Sequence, residues 1–168
     1  STITRDATAW NAGGVAIASE DEWYKAAYYD PTLNSGTGGY WDYAHQSDSI
    51  TTADANYDSS VGTVTDVGTY NDDASHYGTF DQGGNVWEWN ESIVSSSNRG
   101  VRGGTFFSPD SDLQSSIRYG LDPANGYNSV GFRVSSLAPI PEPSTYAAIF
   151  GSLALAVATM RRKGRRTL

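Results

Sequence analysis

The sequence predicts a loop-rich domain with one clear helix and several short strands, rather than a bundle of helices. Glycine supplies 18 of the 168 residues, which favours turns over long regular elements. The hydrophobic fraction is 38%, yet 5 Trp and 11 Tyr can build a core from large aromatic rings. A chain of this length suits one domain with a short appendage.

The clear helix is predicted to begin at Ser19 and to end near Tyr29. Ser19 can cap the first turn, Glu22 follows three residues later, and the acidic residues between them favour the positive end of the helix dipole. Trp23 opens an apolar stripe at helical spacing. Pro31 is expected to stop the helix, because a proline disfavours helical geometry in the residue before it.

Short strands are expected before this helix and in the last third of the domain. Residues 15–17 form a candidate strand, residues 100–107 a strand with a glycine bulge, and residues 118–120 another short segment. Residues 130–134 alternate in hydrophobicity, which predicts a closing strand. Residues 45–75 predict long ordered loops, which in a compact domain are functional or are held by an ion.

The charge distribution excludes nucleic acid as a partner. The net charge is −8, and five of the 11 basic residues lie within residues 161–166. Residues 1–137 carry six basic residues against 18 acidic ones, a net charge of −12, and such a surface repels phosphate backbones. An acidic surface suits calcium and extracellular media, and it suits plain solubility equally well.

The residue inventory also limits the chemistry. No cysteine is present, which excludes disulfides, thiolate metal sites and a cysteine nucleophile. His45 and His76 are the two histidines, and their separation matches no metal-ligand spacing, so both are interpreted as surface loop residues. Ser108 lies in no nucleophile-elbow motif, which leaves a Ser-His-Asp hydrolase without support.

Residues 77–89, with the sequence YGTFDQGGNVWEW, form the most informative motif. Its two adjacent glycines allow a sharp turn ahead of two tryptophans. Asp81, Asn85 and Glu88 supply oxygen atoms of the kind that calcium prefers. A tryptophan core with a hydrogen-bonded Asn85 and Glu88 explains the same pattern, and the residues alone favour that interpretation.

Two arginines, Arg102 and Arg133, are scarce cations in this acidic body. Both fall in predicted strands, where an unpaired charge is costly to bury. We therefore expect them to form buried ion pairs with Glu88 or Asp81.

These motifs, in this order, resemble the formylglycine-generating enzyme (sulfatase-modifying factor) family. The resemblance covers about residues 15–136 and rests on five blocks: SEDEWYKAA at 19–27, ANY at 55–57, the motif at 77–89, RGGTF at 102–106 and GFR at 131–133. It implies an α+β, C-type-lectin-like fold with little regular secondary structure for residues 1–137. It also implies that the N-terminal part of the family domain is missing.

The same resemblance implies structural calcium at two sites. Side chains and backbone carbonyls of two matching blocks would hold the ions, because calcium takes six to eight oxygen ligands. The residues implied are Asn56 and Tyr57 for the first ion, and Gly84, Val86 and Glu88, with Asn85 adjacent, for the second.

The oxidising members of the family carry two cysteines that bind copper shortly after the Gly-Gly block. The corresponding positions here are Ser108 and Leu113, and neither side chain binds Cu(I) as a thiolate does. No copper is therefore expected, and the cysteine-dependent oxidation is not open to this chain. The two histidines do not supply the ligand set that iron-dependent branches of the family use.

The composition changes abruptly at residue 138. Residues 138–145 form a proline-rich linker, residues 146–160 an apolar run and residues 161–168 a basic end. The apolar run is shorter than the roughly 20 residues that cross a membrane comfortably, and the basic end would stay in the cytoplasm. A C-terminal core helix with a solvated basic end is the alternative interpretation.

Pro141, Glu142 and Pro143, followed by the apolar run and the basic end, resemble the PEP-CTERM sorting signal. The resemblance implies recognition by an exosortase-type membrane protease and transient anchoring of the tail, as a short transmembrane helix, in the inner membrane. It also implies delivery to the cell envelope or exterior of a Gram-negative bacterium. An exported protein needs an export signal, so we interpret the sequence, which begins at Ser1, as a fragment.

Three functions are compatible with these features. The first is a non-catalytic binding or structural module that presents residues 108–128 to a carbohydrate or protein. The second is an enzyme of the family with altered oxidative chemistry that depends on missing N-terminal residues. The third is a body that serves as cargo for its sorting tail. The candidate recognition residues are Asp110, Asp112, Arg118, Tyr119, Asn125, Tyr127 and Asn128.

Overall fold

The computed structural model describes residues 5–72 and 74–137, which form short helices and strands joined by long ordered loops. In chain order the elements are α1 (Ala7–Asn11), β1 (Val15–Ile17), α2 (Glu20–Tyr28), β2 (Tyr29–Asp30), α3 (Leu33–Gly36), β3 (Gly39–Tyr40), β4 (Trp87–Ser95), β5 (Asn98–Arg102), a 3-10 helix (Asp110–Leu113), β6 (Tyr119–Leu121), β7 (Val130–Phe132) and β8 (Val134–Ser136). A mixed sheet with few helices agrees with the expected α+β class. The predicted sorting tail, residues 138–168, lies outside the described residues. Within the described ranges, no helix has the length and apolar character that crossing a membrane requires.

Four strands form the main sheet, in the order β6-β5-β4-β7. β4 pairs antiparallel with β5 and parallel with β7, and β5 pairs antiparallel with β6. Two antiparallel ribbons, β1 with β8 and β2 with β3, complete the pairing of the strands named above. Because alternate residues of a strand face opposite sides of a sheet, Glu88 faces away from Trp87 and Trp89.

Helix α2 forms as predicted and packs against the main sheet. Ser19 Oγ accepts from the Glu22 backbone nitrogen, and the Glu22 side chain accepts from the Ser19 nitrogen, so the capping box is complete. These two bonds satisfy backbone donors that the end of a helix leaves without partners. Trp23 is fully buried, and its indole Nε1 donates to Glu88 of β4 at 2.5 Å. This contact fixes the helix on the sheet.

The core consists of two clusters of buried side chains. The first surrounds α2, where the rings of Trp23 and Tyr28 meet edge to face with centroids 5.8 Å apart. The second lies under the long loops, and its members are Tyr43, Ala55, Tyr57 and Leu113. Tyr28 Oη donates to the Leu113 carbonyl at 3.1 Å and joins the two clusters. As predicted, residues 45–72 and 74–75 form loops and contribute no helix or named strand.

The predicted strand over residues 100–107 has the wrong extent. The observed strand β5 ends at Arg102, because Gly103 and Gly104 take φ values of +96° and +78° and turn the chain away. A Cβ at Gly103 would lie 2.7 Å from the Gln82 carbonyl oxygen. The turn thus brings two backbones closer than a side chain would permit.

The single closing strand predicted over residues 130–134 is in fact two strands. β7 pairs with β4, whereas β8 leaves that sheet and pairs with β1. Arg133 lies between them and directs its guanidinium to Glu88 of β4. An ion pair therefore stands at the point where the chain passes from one sheet to the other.

Candidate functional site

Glu88, near the end of the motif at residues 77–89, forms a buried ion pair with Arg133. Its residue exposure is 7%. Arg133 Nε and Nη2 each donate to one oxygen of its carboxylate at 2.6 Å, and Trp23 Nε1 donates to Oε2 at 2.5 Å. Such a two-bond arginine contact is both strong and directional. The predicted pairing of Arg133 with Glu88 is confirmed, and both carboxylate oxygens are engaged.

Arg102 pairs with a different carboxylate from the one predicted. Its guanidinium contacts Glu20, in the first turn of α2, and donates to two backbone carbonyls at 2.9 and 2.6 Å. The expectation of Glu88 or Asp81 as its partner is wrong. Arg133 already holds Glu88, and Asp81 accepts from a loop backbone nitrogen at 2.7 Å.

The two predicted calcium loops meet in one buried polar contact. Asn56 is 1% exposed, and its Nδ2 lies 3.3 Å from Asn85 Oδ1 and 2.9 Å from the Thr63 carbonyl. The Asn85 backbone nitrogen donates to the Asn56 carbonyl at 2.8 Å. Gly84 has a φ of +74°, and any side chain there would collide with the Asn56 backbone. The Oδ1 atom of Asn56 is buried and has no hydrogen-bond partner among the described residues.

The other residues that the resemblance assigned to calcium lie beside this contact. The carbonyl of Tyr57 accepts from the Ser60 nitrogen at 3.0 Å, and burial raises the pKa of the Tyr57 hydroxyl. Val86 is half-buried between Asn85 and the start of β4. Within residues 5–72 and 74–137, no group of three or more histidine or acidic side chains is arranged to hold a metal ion. Oxygen ligands here would come from amides and backbone carbonyls.

Ser108 and Leu113 both lie in the interior. Ser108 Oγ accepts from the Thr105 nitrogen at 3.2 Å and lies 3.2 Å from Thr105 Oγ1, which closes a tight turn. Leu113 is fully buried in the loop cluster with Tyr43 and Tyr57. Both residues are buried, with exposures of 4% for Ser108 and 0% for Leu113.

The predicted recognition residues are surface residues, but they belong to several elements. Asp110 and Asp112 lie in the 3-10 helix, and Tyr119 in β6. The exposed residues of the set are Asp110, Arg118, Tyr119, Asn125, Tyr127 and Asn128, whereas Asp112 is half-buried. Tyr119 packs against Trp87 with centroids 5.2 Å apart, and Tyr127 packs against Trp89 at 6.0 Å. One face of the main sheet thus carries aromatic pairs at its surface.

The two histidines lie beside different carboxylates. His76 is exposed, and its Nδ1 lies 3.3 Å from Asp30 Oδ1. Hydrogen bonds from Thr32 hold the pKa of Asp30 below its usual value. His45 is more enclosed than expected, with Nε2 3.9 Å from Asp54 Oδ2. Their separate carboxylate neighbours give no sign of a shared metal centre.

Arg5 joins three elements through a charged cluster. Its guanidinium pairs with Glu22 of α2, and its Nε donates to Glu91 of β4 at 3.0 Å. The hydrogen bond from Arg5 lowers the pKa of Glu22 to about 2. The same guanidinium lies 4.2 Å from the centre of the Trp10 ring on α1. The short helix α1 is thereby tied to the body of the domain.

A cleft of about 520 Å³ beside this cluster brings together residues that no single sequence motif connects. Trp10 of α1 and Arg99 of β5 line it together with Trp89 and Tyr127. These residues are distant in sequence and carry no common spacing. Only their packing in the fold brings them to one place.

Comparison with known proteins places this geometry in one family. The Sulfatase-modifying factor enzyme 1-like domain family (FGE-sulfatase) matches residues 5–137. Treponema denticola variable protein 1 gives a TM-score of 0.58 at 23% identity, over 73% of this chain and 47% of that chain. CarF gives 0.54 at 24% identity, over 74% and 48%, and PvdO from Pseudomonas aeruginosa gives 0.53 at 21% identity, over 73% and 52%. The chain spans about half the length of these structures, and at such identities the likeness concerns the fold alone. No curated protein sequence matches the chain.

Proposed function

Because the chain belongs to the Sulfatase-modifying factor enzyme 1-like domain family, we propose that it uses this fold as a non-catalytic binding or structural module of the bacterial cell envelope. The observation that carries the proposal concerns the two positions that the resemblance aligns with copper-binding cysteines. Leu113 fills the core, and Ser108 closes a turn with Thr105. Oxidation in the family needs thiolates at these two positions. In this chain the residue at one position packs in the core, and the residue at the other forms a hydrogen bond.

The aromatic face of the main sheet supports a binding role. Tyr119 and Tyr127 are exposed, and each is held by a ring contact with a tryptophan of β4. Tyrosine and tryptophan offer a large contact area with few rotatable bonds, so little conformational entropy is lost when they bind a partner. Asp110 and Arg118 add exposed charges, and Arg118 directly precedes Tyr119 in the chain. A carbohydrate or protein of the envelope is the proposed partner class.

Structural calcium is part of the proposal, and Asn56 gives it the better support. Its Oδ1 is a buried oxygen with no partner among the described residues, and a hard cation is satisfied by such oxygens. Glu88 gives weaker support to the second calcium site, because Arg133 and Trp23 already donate to its carboxylate oxygens. We expect calcium to raise the melting temperature of the full chain relative to EDTA. Equal melting temperatures in the two buffers would remove calcium from the proposal.

Export and sorting by an exosortase-type protease belong to the proposal through the resemblance of residues 138–168 to a sorting signal. The Pro141–Pro143 segment would be the recognition element, and the apolar run would hold the tail transiently in the inner membrane. The acidic surface of residues 1–137 is compatible with an extracellular location.

The test of the non-catalytic role offers the full chain a cysteine-containing sulfatase peptide with copper and oxygen. Mass spectrometry follows formylglycine, and a cysteine-containing enzyme of the family serves as the positive control. No conversion is expected. Conversion would show that Ser108 and Leu113 are not the relevant positions and that the chain is an enzyme.

A second experiment tests the binding surface. Alanine substitutions at Asp110, Arg118 and Tyr119 are expected to reduce retention of the chain on isolated envelope polysaccharide and protein. The matched control replaces Asp21, Lys25 and Tyr77, which are exposed on or near α2. Equal retention by the two triple variants would contradict the assignment of the surface.

A further inference from the structure

The cleft of about 520 Å³ has the size and walls of a small-molecule site. Trp10, Trp89 and Tyr127 supply its aromatic walls, and Val15 and Ile17 of β1 extend the apolar surface. The edge-to-face contact between Trp89 and Tyr127 fixes the orientation of both rings. An apolar group that enters the cleft would therefore meet a preformed wall.

The two arginines of the cleft differ in their partners. Arg5 is held by Glu22 and Glu91. Arg99 forms no ion pair with any residue that the structure describes, and its Nη1 donates to the Glu91 carbonyl at 2.7 Å. A guanidinium has five N–H donors, so Arg99 keeps donors for a ligand. In a strongly acidic body, this cation beside an apolar wall selects for a negatively charged group.

A buried amide forms part of the wall of the same cleft. Asn90 is 2% exposed, and its Oδ1 accepts from the Ser92 nitrogen at 3.0 Å. Its Nδ2 is buried and has no acceptor within the described part of the chain. Gly100 makes room for this amide, because a Cβ there would lie 2.5 Å from Asn90 Oδ1. Because the Nδ2 atom is closed off from the cleft, this amide shapes the wall, and the polar contact to a ligand falls to Arg99.

We propose that the cleft binds a small amphipathic monocarboxylate, with its carboxylate on Arg99 and its apolar or aromatic body against Trp10 and Trp89. The inference rests on the proposed binding role of the fold and goes beyond it, because it names a separate site and a small-molecule ligand class. A sugar fits less well, because the walls of the cleft are mainly apolar and would leave many of its hydroxyls unsatisfied. Asp6, a polar residue of the lining, caps α1. A polyanion is disfavoured by the net charge of −12 on residues 1–137.

The experiment uses the full 168-residue chain in lipid nanodiscs, so that no detergent competes for the cleft. Calorimetric titration compares phenylacetate, its uncharged amide phenylacetamide, and glucuronate as the sugar acid, with empty nanodiscs as the blank. Phenylacetate is expected to bind most tightly and phenylacetamide at least about tenfold more weakly, because the charge-assisted bond to Arg99 is lost.

Two matched variants locate the site. Arg99→Gln should weaken phenylacetate binding by at least about tenfold and leave phenylacetamide binding nearly unchanged. Lys25→Gln, at an exposed lysine of α2 outside the cleft, should leave both unchanged. Melting temperatures check that each variant folds.

Three outcomes would overturn the inference: equal phenylacetate affinity in wild type and Arg99→Gln, tighter binding of glucuronate than of phenylacetate, or no binding of phenylacetate. None of them bears on the formylglycine assay or on the envelope retention of the alanine variants. Conversely, formylglycine formation would refute the non-catalytic role and leave the titration result standing. The two proposals can therefore fail separately.

Discussion

Replacing Arg133 with methionine is expected to lower the free energy of unfolding by about 3 kcal/mol. Arg133 donates to both oxygens of Glu88, a residue that is 7% exposed. Its loss would leave a buried carboxylate whose remaining partner among the described side chains is the Trp23 indole. Removing one partner of a buried pair costs about 3–5 kcal/mol. The lower end applies because the Arg133 side chain is 25% exposed and water can replace part of the contact.

Urea unfolding of the full chain, followed by tryptophan fluorescence, measures this cost against two controls. Arg118→Met removes an exposed arginine that lies 3.8 Å from Glu20, and such a pair contributes less than about 1 kcal/mol. Glu88→Gln on the Arg133→Met background should recover part of the loss, because a neutral amide is less costly to bury than a carboxylate. The comparison of single and double variants isolates the coupling between the two residues.

The reasoning would be refuted if Arg133→Met and Arg118→Met lowered stability equally. It would also be refuted if Glu88→Gln recovered nothing in the Arg133→Met background. Either result would mean that the ion pair does not hold the junction of β7 and β8 on β4. With a total stability of about 5–15 kcal/mol for a domain of this kind, the predicted loss is large enough to measure.

Three further perturbations test other parts of the structure. Gly84→Ala should cost about 2 kcal/mol or more, because the new Cβ meets the Asn56 backbone at a φ of +74°. Gly62→Ala, at a φ of +81° in open space, should cost about 1 kcal/mol, and equal losses in urea unfolding would contradict the role of the contact. The hydrogen bond from Arg5 lowers the pKa of Glu22 from 4.5 to about 2, so the unfolded chain takes up this proton first and stability falls as the pH drops through that window. Glu22→Gln should flatten this part of the stability curve, and an unchanged slope would argue against the Arg5 contact. Deleting residues 141–168 should prevent processing and change the compartment found by cell fractionation; unchanged release would contradict the sorting proposal.

Elements whose conformation is set by residues close to them in sequence could be predicted. The capping box at Ser19 and Glu22 forms within one turn, and the observed helix α2 begins and ends where the local pattern indicates. The strand at Val15–Ile17 and the loops after residue 45 also follow from local composition. The end of β5 could not be predicted, because Gly103 turns to meet the Gln82 backbone, which is distant in sequence.

The candidate site, too, could be predicted from the sequence only in part. A scarce arginine in an acidic chain indicates an ion pair, and the sequence identified Glu88 as a partner for Arg133. It did not identify Glu20 as the partner of Arg102, because that choice depends on how α2 lies on the sheet. The cleft escaped prediction for a related reason. Trp10, Trp89 and Arg99 come from a helix and two strands, and no local sequence pattern indicates that they line one cleft.

Leu113 fills the core at a position that the resemblance aligns with a copper ligand. The resemblance aligns this position with a copper-binding cysteine, yet here it is fully buried, and its carbonyl accepts from Tyr28 Oη and so joins the two core clusters. Burial of a leucine side chain contributes roughly 1.5–3 kcal/mol, whereas a thiolate ligand needs an approach for metal and substrate. One side chain cannot do both. Under the proposed binding role, recognition uses surfaces away from this position, such as the aromatic face with the cleft at Trp89 and Arg99.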